Sequence, residues 1–353
     1  MAIKSIAFYL PQFHPVPEND AWWGKGFTEW TNVTKAKPLF KGHYQPNLPA
    51  DLGFYDLRLE ESRLAQEELA QKYGITAFCY WHYWFGKGKR ILERPLNDKL
   101  KSNDAGMSFC LAWANESWSG IWHGCPKKIL LEQTYPGKQD YIDHFYHMLP
   151  AFKDKRAFKI RGKIVFVVYR PYDLPDPNLF IKLWQGLAKK EGLEGFHFVG
   201  YNNNTHDNPK DIGFDAFVLT FETKMRRIKP PSKLRKLKAK IFKFPLYKYD
   251  YEEASKHFIV KEQLPFLYYP CVLPNWDNSP RSNLNGTILH NSTPNKFGKV
   301  LNEAVNCVKE REEEKKVIFI KSWNEWAESN YLEPDRRWGH RYLETFRNAL
   351  IRS

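Results

Sequence analysis

Cysteine is scarce in this chain. There are five in 353 residues, Cys79, Cys110, Cys125, Cys271 and Cys307, an odd number with no C-x-x-C spacing, which excludes a disulfide framework or a thiolate zinc site as the organising feature. Three lie in or beside apolar strand-like runs, so buried free thiols in a reducing cytoplasm are expected. Long hydrophobic runs are also missing. Nowhere do about eighteen apolar residues follow one another, so no membrane-spanning helix is expected. The run from Ile3 is not preceded by the charged, apolar and cleavage regions of a leader, so no secretory signal is expected and the expected location is cytoplasmic. No G-x-G-x-x-G follows the first apolar run and no G-x-x-x-x-G-K-[ST] occurs, which weakens a nucleotide-binding open sheet. No D-x-D stands at a strand end, which speaks against the common metal-dependent sugar transferases.

Acidic residues are absent from one stretch. Between 224 and 248 there are eleven Lys or Arg and no Asp or Glu, so of a formal net charge of +14 only 14 − 11 = +3 belongs to the rest of the chain. After Pro230-Pro231-Ser232, a suitable helix start, Leu234, Leu237, Ile241 and Phe244 recur at spacings of three, four and three, with Lys and Arg between them. A basic amphipathic helix suits an anionic membrane surface. The charge alone would also suit nucleic acid, a phosphorylated sugar carrier or a solvated insertion. The apolar stripe favours peripheral contact at the inner face of a membrane, and no nucleic-acid partner is expected.

Aromatic residues are abundant, at 16%, and they cluster, as in Tyr80-Trp81-His82-Tyr83-Trp84-Phe85. A continuous run points to both faces of a strand, so part of it is expected to line a cleft. Eight segments read as short strands: 5–10, 75–81, 108–113, 164–169, 196–200, 216–220, 266–269 and 317–322. Helix-like stretches at 57–73, 139–152, 177–190 and 296–313 alternate with them, the first ending at Gly74, a natural C-cap. No repeat or linker divides the chain. The expected fold is α/β, a single (β/α)8 TIM barrel over 1–353 with loop insertions, including the basic one near 224–248.

In such a barrel polar and catalytic side chains gather where strands end. Here strand ends run into Gln12-Phe13-His14, His82-Tyr83-Trp84, Asn115-Glu116, Tyr169-Arg170, Asn202-Asn203-Asn204, Phe221-Glu222, Asn275-Trp276-Asp277 and Asn324-Glu325-Trp326-Ala327-Glu328. The last sets two carboxylates three residues apart among Trp323, Trp326 and Tyr331, a pair that can divide acid and base work if their surroundings separate the pKa values. Glu325 and Glu328 are therefore the candidate catalytic residues. Trp326, Asn324, Asn115, Glu116, His14, His82, Trp276 and Asp277 are candidate substrate contacts, with Glu116 read as holding a sugar hydroxyl or an arginine. His14, His82 and His123 lack metal-ligand spacing, so no metal and no cofactor is expected. The stretch Asn19 to Trp30, with three tryptophans and two glycines, is expected to wall the mouth.

With these residues in place the chain resembles the WbsX-type proteins of bacterial polysaccharide gene clusters, related to glycoside hydrolase family 99. The likeness rests on Ile6-Ala7-Phe8-Tyr9-Leu10-Pro11-Gln12-Phe13-His14-Pro15, Gly26-Phe27-Thr28-Glu29-Trp30, Ala112-Trp113-Ala114-Asn115-Glu116 and Ser322-Trp323-Asn324-Glu325-Trp326-Ala327-Glu328. Family 99 has N-E-W-H-E where this chain has Ala327 in place of the histidine. The resemblance implies a (β/α)8 barrel and retaining cleavage of α-mannosides through a 1,2-anhydro sugar. Glu325 would deprotonate the sugar 2-hydroxyl, and Glu328 would protonate the leaving oxygen and later deprotonate the acceptor. The resulting expectation is a metal-independent carbohydrate-active enzyme that hydrolyses or transfers α-mannoside- or α-rhamnoside-like units of an oligo- or polysaccharide, free or lipid-linked, in O-antigen or capsule assembly. A nucleotide-sugar glycosyltransferase of lipopolysaccharide biosynthesis and a non-catalytic glycan-binding protein are the alternatives.

Overall fold

In the computed structural model, which describes residues 3–102, 106–120, 125–221 and 224–351, eight parallel strands close into a barrel. They are β1 (Lys4–Tyr9), β2 (Ala77–His82), β3 (Ser108–Trp113), β4 (Lys163–Val168), β5 (Phe196–Asn202), β6 (Ala216–Leu219), β7 (Tyr268–Val272) and β8 (Val317–Ile320). Each pairs with the next, and β8 returns to β1 through Lys4↔Val317 to Ala7↔Ile320. The TIM-barrel expectation is met, and all eight expected strands are present.

The largest departure lies in the seventh strand, which runs through Pro270 to Val272. Proline removes a ladder donor and reads as a stop, yet the Pro270↔Leu219 pairing tolerates it. The helix expected over 296–313 is Pro294–Val308, started by the Thr293 side chain, which accepts from the Lys296 amide, and by a proline in its first turn. The helix expected over 57–73 is Glu60–Lys72, and Gly74 at φ +91° caps it.

Alternation along each strand sends every second side chain into the lumen. From the bottom upward, the His197 ring bonds the Tyr269 hydroxyl, and the Cys79 thiol sits beside Cys110 and Cys271. Phe8 then stacks on Trp81 with centroids 4.9 Å apart, touching Phe319 and Tyr201. The cysteines expected to be free are free where described: Cys79, Cys110 and Cys271 are buried and Cys307 is half-buried. Gly200 makes room for the Phe217 ring, which a Cβ there would meet at 2.7 Å. Among the described residues no helix is long and apolar enough to cross a membrane.

Candidate active site

At the C-terminal end of the barrel the lumen opens into a cavity of about 960 Å³, near the upper end for small-molecule sites. Its floor is built by the segment after β8. The Trp323 amide still bonds the Phe8 carbonyl, extending the β8–β1 pairing. The Asn324 side chain then grips the Leu10 backbone on both sides, accepting from its amide at 2.7 Å and donating to its carbonyl at 3.0 Å. A tight turn, Trp326–Glu328, follows. Glu328 is pinned by its own carbonyl, which accepts from the Asp277 amide at 2.7 Å. Ser329, in the left-handed region at φ +50°, accepts from Gln45 and Asn47. Glu325 and Glu328 therefore both turn into the cavity base, each about 5% exposed or less.

The two carboxyls share a hydrogen bond, and two carboxylates that close cannot both ionise. Their surroundings decide which one holds the proton. Glu325 is desolvated by burial, but the Lys321 ammonium, its bond to Glu328, the Arg281 charge and the Trp81 indole N–H, donating at 2.9 Å, together bring its pKa down to about 2. For Glu328 desolvation by burial, with the charge and hydrogen bond of the neighbouring Glu325 added to it, overcomes the lowering by Arg281, so its pKa is raised well above the usual carboxylate range. The pair is thus a fixed anion beside a carboxylic acid, the division that acid and base roles require.

Two cations hold this arrangement. Lys321 follows β8 and continues the inward alternation of Phe319. Its Nζ stands 5.3 Å from the ring centroids of Tyr201 and Trp276 and 5.7 Å from that of Trp81, with a 3.2 Å bond to the Tyr201 hydroxyl. Arg281, in the short helix Ser279–Ser282, donates to Glu328 at 2.7 Å and to Glu29 at 3.0 and 3.2 Å. Asp277 orients that helix by accepting from the Ser279 amide at 2.9 Å. The walls carry Trp23, Phe27, Tyr83, Trp118, Tyr169 and Trp276, with Gln12, Asn278 and Asn283 between them. This is an aromatic and amide lining suited to sugar faces and hydroxyls.

The expected contacts divide. Trp276 and Glu116 line the cavity, and Glu116 holds Arg170 at 2.5 Å, the arginine-binding role read for it. The other six stand off it. Asn115 is a clamp like Asn324, bonding the Arg170 amide and carbonyl at 2.8 Å each, so both Asn-Glu dipeptides use the amide to fix a neighbouring strand end. Trp326 packs at 3.8 Å on Tyr331 and gives its N–H to Glu333. Asp277 is taken up by His43 and Gln45. His82 is out of reach because Trp81 takes the inward position, and its ring bonds His144 on the outer side of the barrel at 2.8 Å. His14 is buried away from the cavity, with its pKa lowered by desolvation. His123 and Glu222 lie outside the described residues. Among the described residues no group of three or more His, Cys, Asp or Glu is placed to hold a metal ion.

Sequence reasoning missed Lys321 and Arg281. The first had a signal, a lysine at an inward position of an apolar strand run. The second, a lone arginine in a loop, had none. The loop from Asn19 to Trp30 does form a wall, through Trp23, Phe27 and Glu29.

A closed barrel with an aromatic-walled cavity over an unequal carboxylate pair has the build of a carbohydrate-active enzyme. The chain belongs to the family described as Glycosyltransferase WbsX, whose pattern matches residues 5–346. It is 38% identical over 349 residues to an uncharacterized protein WxcX of Xanthomonas campestris pv. campestris, strain B100, and equally so to that of strain ATCC 33913. These matches cover 99% of this chain and 50% of each relative, so the chain spans about half the length of the curated relatives it matches. In fold it resembles a glycoside hydrolase-like protein (TM-score 0.60, 14% identity, 99% of this chain and 94% of that one). It also resembles the GH99 endo-alpha-mannosidase from Bacteroides thetaiotaomicron (TM-score 0.58, 16% identity, 99% and 96%).

Proposed function

We propose that this chain is a glycosyltransferase of surface-polysaccharide assembly that works through a glycosidase-type carboxylate pair. The family description favours transfer over hydrolysis as the outcome. The observation that carries the chemistry is the buried Glu325 and Glu328 pair at the cavity floor, one carboxylate bonded by the Trp81 indole and the other by Arg281. In the first step Glu325 takes the proton of a sugar 2-hydroxyl, O2 bonds to the anomeric carbon, and the bond to the leaving oxygen breaks as Glu328 supplies its proton. In the second, Glu328 removes the proton of an acceptor hydroxyl, which opens the 1,2-anhydro ring at the anomeric carbon while Glu325 returns its proton to O2. The 2-hydroxyl must lie trans to the leaving group, as in α-mannosides and α-rhamnosides.

A second reading, transfer from a nucleotide-activated sugar, is favoured by Arg226. It lines the cavity, bonds Thr287 and the Asn285 carbonyl, and among the described residues pairs with no carboxylate. Lys321 and Arg281 already serve carboxylates, so Arg226 is the cation best placed for a diphosphate. The test is incubation with lipid-linked or released polysaccharide fragments, with and without nucleoside-diphosphate sugars, followed by mass analysis. Glycan-to-glycan transfer abolished in Glu325→Gln and Glu328→Gln supports the first reading. Release of nucleoside diphosphate, with a KM for the donor that rises in Arg226→Gln, replaces it with the second.

A further inference from the structure

The helix Lys233–Phe242 is built the wrong way round for a surface helix of a globular protein. Ser232 starts it as expected, accepting from the Arg235 amide at 3.2 Å. An amphipathic helix on a protein surface normally turns its apolar stripe inward. Here Arg235 and Ala239 form the half-buried side, and Arg235 ties the helix down through the Leu246 and Lys248 carbonyls. Leu234, Leu237 and Ile241 point outward, 55 to 60% exposed, and Phe242 at the C-terminal end is 71% exposed. No residue of the helix is buried. An apolar stripe this open costs solubility unless something covers it.

The charge around it says what that is. Lys233, Lys236, Lys238, Lys240 and Lys243 form no ion pair with a described residue, and the whole stretch 224–248 holds no carboxylate. We infer that this helix docks on a lipid bilayer rich in anionic headgroups, laying Leu234, Leu237, Ile241 and Phe242 into the acyl boundary while the lysines beside them meet the headgroup charges. A nucleic acid would use the lysines but leave the apolar stripe in water. The same insertion begins at the cavity, where Arg226 of Lys224–Ile228 lines the wall. Docking therefore anchors the chain through the same insertion that supplies part of the cavity wall, and an anionic leaflet is the surface that fits. The inference is read without turnover, so it stands or falls apart from the proposed chemistry.

The test is flotation of the intact protein with vesicles of pure phosphatidylcholine and with vesicles containing phosphatidylglycerol, at low and high salt. A labelled DNA duplex serves as the competing polyanion. Partition onto the anionic vesicles alone is expected, weakened by salt. Leu237→Glu and Ile241→Glu should each lower the partition coefficient by at least about tenfold, because each removes an inserted side chain and adds a repelled charge. Both positions are exposed, so folding is not at stake, and Lys236→Glu/Lys240→Glu provides a second, purely electrostatic variant. Equal partition of the Glu variants and the parent, or retention on the duplex with none on vesicles, overturns the inference.

Discussion

Removing the Arg281 guanidinium tests the electrostatic design of the site most directly. Its side chain is 12% exposed and bonds two carboxylates that are themselves 3% and 6% exposed. In Arg281→Met, Glu328 can neutralise itself by keeping its proton, whereas Glu29 is left as a buried charge whose described protein donor is the Asn32 amide at 3.4 Å. Removing one partner of a buried ion pair costs about 3–5 kcal/mol, mostly because the survivor is stranded. That is the loss expected in urea unfolding at pH 7. Adding Glu29→Gln removes the stranded charge and should restore more than half of it, a coupling that a double-mutant cycle reads directly. The activity effect has a definite sign as well. Arg281 lowers the Glu328 pKa, so without it Glu328 stays protonated to higher pH, and the alkaline limb of kcat/KM should move upward while kcat falls. A loss below about 1 kcal/mol with no rescue by Glu29→Gln would show that the three side chains do not form one unit.

Glu325→Gln and Glu328→Gln should each cut turnover by roughly 10²–10⁴-fold. With Glu325 brought down to about 2 and Glu328 raised, the parent rate should show no acid limb from Glu325 above about pH 3. It should fall on the alkaline side as Glu328 ionises, a limb that Glu328→Gln removes. Glu333, buried beneath the turn, has its pKa pushed up by desolvation to about 7 against donors from Trp326, Gln66 and Tyr55. The native state then binds its proton more tightly than the unfolded chain does, so stability should fall by about 3 kcal/mol as pH rises from about 4.5 to about 7. Unfolding of Glu333→Gln across that window should lose this slope. Asn324→Ala leaves the buried Leu10 amide and carbonyl unpaired and should cost roughly 2–4 kcal/mol in urea unfolding; a cost under about 0.5 would mean that the clamp is not what fixes the floor.

The fold was legible because strand and helix periods repeat around the barrel, and turn chemistry at Gly74 and Ser232 marked two helix ends well. The cavity lining was legible at Glu325, Glu328, Glu116 and Trp276. Asn324, Asn115 and Trp326 adjoin the glutamates in sequence, but a strand end must also fasten itself to its neighbours. The buried amides do that by satisfying backbone groups of the next strand. His82 shows the other limit. It stands at a strand end, but the alternation that turns Trp81 inward turns His82 out. Arg281 was invisible because its role depends on two residues distant in the chain, Glu29 and Glu328.

The asymmetry of the carboxylate pair follows from how few residues build it. A three-residue turn brings Glu325 and Glu328 close enough to share a proton, and closeness alone would leave the two interchangeable. Lys321 breaks the tie on one side: it continues the inward alternation of β8 and acts more strongly on Glu325 than on Glu328. Trp81 adds to this, because Phe8 stacking fixes the indole whose N–H meets the Glu325 carboxylate. On the other side Arg281 bonds both Glu328 and Glu29, and its charge lowers the Glu328 pKa by less than burial raises it. Glu328 keeps its proton because burial outweighs the one cation bonded to it, and Glu325 stays ionised because Lys321 and Trp81 are held against it by the barrel.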